Sequence, residues 1–216
     1  ALPGIPEVTA GDDLAALVAA ALADQANPLG PPVDGDVIAV AQKIVSKAEG
    51  RIVRLADVEP SAEARRVAAE DGKDPRHVEI VMRETARVVR HAHGVWIAET
   101  RHGFVCASAG VDLSNAPGEG YAVLLPEDPD ASARRLRDAL LAAGDGPLGV
   151  LVSDTFGRPW REGLVDVAIG CAGIAPLSDW RGRSDLVGRT LEVTNMAIVD
   201  QLAAALRGLG QVKRVE

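Results

Sequence analysis

The chain has 216 residues, 47% of them hydrophobic but only 3% aromatic, so it can bury a sizeable core that must be built from Ala, Val, Leu and Ile. A formal charge of −8 argues against a general nucleic-acid binder, which would carry a basic face. No apolar run reaches the length of a bilayer core and no signal-peptide pattern opens the chain. With Cys106 and Cys171 far apart in apolar settings, a disulfide framework is also disfavoured, and the expectation is a reduced, cytoplasmic, membrane-free protein.

In chain order, Asp12 and Asp13 precede a predicted helix over Leu14 to Ala23, with acidic residues at its positive end. Pro28 to Pro32 reads as a loop and Val37 to Val40 as a short buried strand. Helices are predicted over Ser61 to Glu70 and Asp74 to Arg90, the second with Asp74 as N-cap and Pro75 at its first position. The period then falls to two: Val95 to Glu99 and Phe104 to Ala107 flank Arg101-His102-Gly103 as a hairpin, and Tyr121 to Leu125 is another strand. Asp130 is read as the cap of a helix running to Ala143, and Gly149 to Val152 as a buried strand ending at Ser153-Asp154-Thr155. Leu164 to Cys171 and Val199 to Leu206 are read as helices. The alternation predicts a mixed α/β fold.

Four polar clusters follow apolar strands or sit in glycine-rich connections, where open α/β sheets bind ligands. Gln42 to Arg51 offers a hydroxyl, two ammonium groups, a carboxylate and a guanidinium; Lys47 suits a phosphate, yet an exposed edge strand of alternating charge would look the same. Asp112-Leu113-Ser114-Asn115 could hold a hard cation or be a simple Asx turn. Asp154 and Thr155 supply the oxygens that Mg2+ or Mn2+ requires, and Arg158 and Arg161 could clamp a phosphate or carboxylate; the alternative is a charged turn anchored by Trp160. Asp179 to Asp185 alternates acidic, basic and aromatic groups, as a ligand loop or a salt-bridged surface loop would. His91, His93 and His102 lack the further ligands of a zinc site. Neither a Walker-type loop, nor a dinucleotide fingerprint, nor a serine-hydrolase elbow is present, so a nucleotide would need an unconventional loop set plus metal.

Taken together, the ordered segments Gly4-Ile5-Pro6-Glu7, Gly35-Asp36-Val37, Ser46 to Arg51, Ala109 to Asp112 with Ser114-Asn115, Leu124-Leu125-Pro126, Ser153-Asp154-Thr155 with Gly157-Arg158, Asp179-Trp180 with Gly182-Arg183, and Asp185-Leu186 with Gly188-Arg189 resemble the coenzyme F420-0:L-glutamate ligase family (F420-0 gamma-glutamyl ligase), which also forms the N-terminal part of a bifunctional actinobacterial protein. The resemblance spans nearly the whole chain. It implies two closely packed α/β subdomains acting as one unit over 1–216 and forming a homodimer. The implied activity is GTP-dependent addition of L-glutamate to F420-0, with gamma-linked extension of the tail. It implies Mg2+ or Mn2+ in a two-metal arrangement, with K+ as a further ion. By motif, Asp112, Asp154 and Thr155 match the metal positions, and Ile5, Pro6, Glu7, Val8, Gln42, Lys43, Lys47 and Asn115 the nucleotide contacts.

For the chemistry, the residue types nominate Lys47 and Arg158 as electrostatic stabilisers beside Asp154, with the carboxylate activated as an acyl phosphate. Asp112 and Asp154 are expected to converge on one cation. Departures from the family pattern are Asp200-Gln201 for a late acidic pair, Asn195 for a Glu, and a loop missing near 204–207; short terminal segments around Ala1-Leu2-Pro3 and Arg207 to Glu216 are also expected to be incomplete. Two other functions fit the same clusters: a metal-dependent phosphotransferase, and a non-catalytic domain that binds a deazaflavin.

Overall fold

A computed structural model describes residues 2, 4–27, 30, 32–143 and 148–208. The sequence-read loop from Pro28 to Pro32 lies largely outside the described residues, as do Ala1, Pro3 and 209–216. The elements form a mixed α/β fold with two main hydrophobic cores, in keeping with two packed subdomains.

The first half is built on a three-stranded sheet of β1 (Val37–Ala41), β7 (Gly149–Gly157) and β8 (Leu164–Ala172), in the order β1-β7-β8. β1 and β7 run parallel, with Ala41 opposite Ser153, so β1 ends beside the middle of β7, which continues to Gly157. Helices α1 (Leu14–Ala23) and α5 (Pro129–Ala143) cover one face, where Val18, Leu136 and Leu140 pack on Val150 and Val152. Helix α6 (Ile198–Gly208) covers the other, packing Val199 and Ala203 on Leu151. Leu151 is fully buried in the central strand, where truncation to Ala would cost about 2–5 kcal/mol.

The second half packs helices α3 (Ala62–Asp71) and α4 (Pro75–Glu84) on the antiparallel sheet β3 (Thr85–Ala92), β4 (Val95–Thr100), β5 (Val105–Ala107) and on the pair β2 (Ile52–Arg54) and β6 (Tyr121–Val123). Helix α2 (Gln42–Ala48) leaves β1 directly and bridges toward β6. A small hairpin of β9 (Leu177–Asp179) and β10 (Asn195–Ala197) projects before α6. No helix among the described residues is long and apolar enough to cross a membrane.

Local signals start the helices where the residues demand it. Asp13, Ser61 and Asp74 each accept a backbone N–H of the first turn, at 3.0, 3.1 and 2.8 Å. Four readings are corrected. The helix from Asp74 stops at Glu84, because the run Thr85-Ala86-Arg87-Val88-Val89 carries the β-branched Thr85, Val88 and Val89 and pairs with β4. Leu164 to Cys171 is the strand β8, an apolar run too short for its period to separate helix from strand. β7 does not end at Val152 but continues through Gly157, placing Asp154 and Thr155 within a strand. The cap of α5 is Asp128, which accepts from Ala131 N at 2.8 Å, whereas Asp130 reaches across to Cys171 N on β8 at 2.8 Å. Near 204–207 the chain is an unbroken turn of α6.

Candidate functional site

The parallel pairing of β1 with β7 brings the first and third clusters together. From Ala41 the chain enters α2, so Gln42 and Lys43 stand beside Asp154, one residue past the register pair Ala41–Ser153. Asp112 arrives from the second half. Its backbone exchanges two hydrogen bonds with Val123, 3.0 Å from Asp112 N to Val123 O and 2.8 Å in return, which pins the residue to β6.

The Asp112 carboxylate then collects donors. Ser114 N gives to Oδ1 at 2.7 Å and Ser114 Oγ to Oδ2 at 3.1 Å, while Lys43 Nζ lies 2.6 Å from Oδ2 and 2.7 Å from Ser114 Oγ. Partial burial works to raise this carboxyl, but the hydrogen bonds and charge of Lys43 and the bonds from Ser114 outweigh it and hold it below the usual range. Asp154 moves the other way. Its burial raises it, the Asp112 and Asp166 charges add to the rise, and the Thr155 N–H and Lys43 only partly oppose it. Asp112 and Asp154 are therefore close enough to feel each other's charge, with Lys43 as the cation beside them.

Strand alternation divides the metal positions. Val152 and Phe156 pack into the core under α5, so Asp154 shares their face, whereas Thr155 shares the face of Leu151 toward α6. On that second face Thr155 Oγ1 donates to Asp166 Oδ1 at 2.7 Å, from the residue directly opposite on β8. Asp166 was not singled out in the sequence, since its segment reads as a helix; strand pairing is the signal that reveals it.

All donors here are oxygens, the set a hard divalent cation takes. Among the described residues no three His, Cys, Asp or Glu side chains gather closely enough to hold a metal ion by themselves. A cation at Asp112 and Asp154 would thus need water or ligand phosphate as well, as Mg2+ commonly does.

Beside the carboxylates a cavity of about 730 Å³ runs along β1, between α1 and the Leu202 and Leu206 side chains of α6. Ile5, Pro6, Glu7, Val8, Lys43, Lys47 and Asn115 all line it. Lys47 is only 8% exposed, and its ammonium is paired with Glu7. Gln42, 2% exposed, sits behind the wall, giving its amide to Ser46 Oγ at 2.6 Å and Leu124 O at 2.9 Å. Gln42 to Arg51 is thus neither an edge strand nor a single site. Arg51 turns away to Leu125 O at 2.9 Å and Glu84 at 3.0 Å, and Glu49 to Ser132 and Arg135, both at 2.6 Å.

Arg158 lies four residues beyond Asp154, about 13 Å along an extended strand at about 3.3 Å per residue. Its guanidinium is taken up by the carbonyls of Glu162 and Gly163 in the β7–β8 turn. In the fourth cluster Arg181 grips Asp179, holding that exposed carboxyl down at about 2, and the Arg183 guanidinium lies 5.5 Å from the Trp180 ring centre.

Comparison with known proteins gives a consistent result. A family model described as F420-0:Gamma-glutamyl ligase matches residues 4–209. The chain is 48% identical over 202 residues to "Coenzyme F420:L-glutamate ligase" of Methanothermobacter thermautotrophicus, covering 94% of this chain and 79% of that one. It is also 48% identical over 199 residues to the protein of the same name from Methanopyrus kandleri, covering 92% and 75%. Against that of Haloarcula marismortui the identity is 43% over 211 residues, covering 95% and 78%.

Proposed function

The chain belongs to the F420-0:gamma-glutamyl ligase family, and from that premise we propose that it joins L-glutamate to coenzyme F420-0, and extends the gamma-linked tail, in the cytoplasm at the expense of GTP. The observation that carries this reading is the end of β1 beside Ser153 and Asp154 of β7. It sets a lysine-lined cavity against two carboxylates that repel each other, which is the arrangement a nucleotide phosphate and a divalent cation would complete.

In this reading Lys47 holds a phosphate in place of the Glu7 carboxylate, because an ammonium this buried must keep an anionic partner. Lys43 swings from Asp112 to the phosphates. Asp154 on one face of β7, with Asp112 near enough to share its charge, and Thr155 on the other face would hold Mg2+ or Mn2+ in two positions. When bound, the cations offset charge developing on the transferred phosphoryl group. The terminal carboxylate of F420-0 would take the γ-phosphoryl group of GTP, releasing GDP and giving an acyl phosphate; the glutamate amine would then attack its carbonyl carbon, forming the amide and releasing inorganic phosphate and a proton. Arg158 can join only by leaving its turn carbonyls. Nothing in the donor set addresses K+ separately, and it stays a proposal on the family pattern alone.

A second copy of the chain is proposed to cover the exposed apolar side chains at the β8 entrance and in the loop after β9. There Leu164, Leu186, Val187 and Val193 are 71%, 106%, 81% and 87% exposed. Sedimentation at micromolar concentration should give a homodimer. The activity itself is tested by mass spectrometry of F420-0 incubated with GTP, Mn2+ and L-glutamate. A gain of one glutamyl unit supports ligation. Phosphate release without it would identify a phosphotransferase, and no change in either would leave a binding domain.

A further inference from the structure

We infer that Asp166 is a positioning residue that sets the orientation of the Thr155 hydroxyl. The inference rests on the reading of Thr155 as a cation ligand and goes beyond it, since Asp166 belongs to no motif that led there.

Thr155 and Asp166 are a directly opposed pair across β7 and β8, and their side chains share the α6 face of the sheet. Asp166 is 6% exposed, and its Oδ1 lies 2.7 Å from Thr155 Oγ1. A hydroxyl has one proton and two lone pairs. A carboxylate can only accept, so the Thr155 proton is committed to Asp166 and both lone pairs point away from it. Threonine is also stiff about its first side-chain torsion, so one strong hydrogen bond is enough to select a rotamer. An unanchored Thr155 could instead turn its proton toward a cation, which would be repulsive. The pair is held by backbone register rather than by flexible side chains: Thr155↔Asp166 lies between Asp154↔Val167 and Phe156↔Val165, past the bulge at Val152/Ser153. The Asp200 carboxylate, from α6, accepts Ala168 N at 2.9 Å two residues along β8, tying the same strand to the helix above it.

The mechanism predicts that the acceptor atom of Asp166 matters far more than its charge, which reaches Asp154 only as the smallest of several influences. Mn2+ binding to the nucleotide-free protein, followed by the electron paramagnetic resonance signal of free Mn2+, tests this without reference to turnover. Asp166→Asn keeps an oxygen acceptor at nearly the same position and should bind Mn2+ within about 3-fold of the unmodified protein. Asp166→Val, which suits a strand but removes the acceptor, should weaken binding about 10-fold, the lower end for residues that orient a metal ligand. Thr155→Val should produce a similar loss, and the double variant no further loss, because the two side chains act as one unit.

Loss in Asp166→Asn as large as in Asp166→Val would overturn the inference in favour of a direct charge role. Unchanged binding in Asp166→Val alongside a loss in Thr155→Val would overturn it outright. Should Asp166→Val not fold, the Asn variant decides alone: retained affinity supports orientation, and loss rejects it. If Thr155→Val and Asp154→Asn both leave Mn2+ binding untouched, it is the cation reading of the site that fails, a distinct outcome.

Discussion

Replacing Lys43 by methionine should tighten, not weaken, the binding of a divalent cation to the nucleotide-free protein. Lys43 Nζ is 2.6 Å from Asp112 Oδ2 and 2.7 Å from Ser114 Oγ, so a cation approaching Asp112 must displace an ammonium already seated there. Opposite charges about 4 Å apart at an effective dielectric of about 20 would attract by about 4 kcal/mol. The Asp112 side chain is 42% exposed and that of Lys43 21%, however. Solvent screening at that exposure lowers the net value to about 1 kcal/mol. Removing the competitor should therefore improve Mn2+ affinity about 5-fold, at about 1.4 kcal/mol per factor of ten. Methionine keeps the aliphatic length of the lysine along the cavity wall while losing its charge. Titration of Mn2+ by electron paramagnetic resonance measures the change. GTP binding to the same variant, by calorimetry, should be weaker, because the charge meant for phosphate is gone. Equal or poorer Mn2+ binding in Lys43→Met would refute the idea that Lys43 stands in for the cation.

Other expectations follow from the same geometry. Asp154→Asn should abolish glutamate addition yet leave the metal-free fold at least as stable at neutral pH. The folded protein raises this carboxyl above its ordinary 3.8, so it favours the protonated form, and wild-type stability should rise as pH falls through the region above 3.8 while the Asn variant lacks that component; calorimetric melts between pH 4 and 7 decide this. Cys106 is 7% exposed, and burial, then the Asp154 charge, push its thiol up to about 11, so it should resist alkylation at pH 8 until the protein is unfolded. The same shift removes about 2–3 kcal/mol of stability as pH rises from 9 to about 11, because only the unfolded thiol ionises in that window; denaturant curves across that range would show it absent from Cys106→Ala. At Gly170 an added Cβ would lie 2.4 Å from the Pro129 carbonyl and 2.8 Å from Asp130 N, so Gly170→Ala must push α5 off β8. A cost of about 1–3 kcal/mol is expected, lowering Tm by about 2–4 °C for each. Gly118→Ala, which meets nothing within 4 Å, is the control.

What the sequence determines here is what depends on neighbours in the chain. Asp13, Ser61 and Asp74 start helices because a short polar side chain can reach an N–H two or three residues ahead. The apolar run of β1 and the ordered family segments are likewise local, and they already pointed to Lys43, Lys47, Asp112 and Asp154. Tertiary structure decided everything that needs a distant partner. Thr85 to Ala92 and Leu164 to Ala172 became strands because β4 and β7 were there to pair with them, and a stretch of eight or nine residues has no period strong enough to say so alone. Pairing also separated Asp154 from Thr155, adjacent in sequence but on opposite faces of β7, and brought in Asp166 from a segment that seemed helical. Lys47 and Arg51, four residues apart in one motif, parted company in the same way. Helix α2 buries the first against Glu7 at the cavity, and the chain beyond it turns the second to Leu125 O and Glu84, where a guanidinium closes a seam between the two halves.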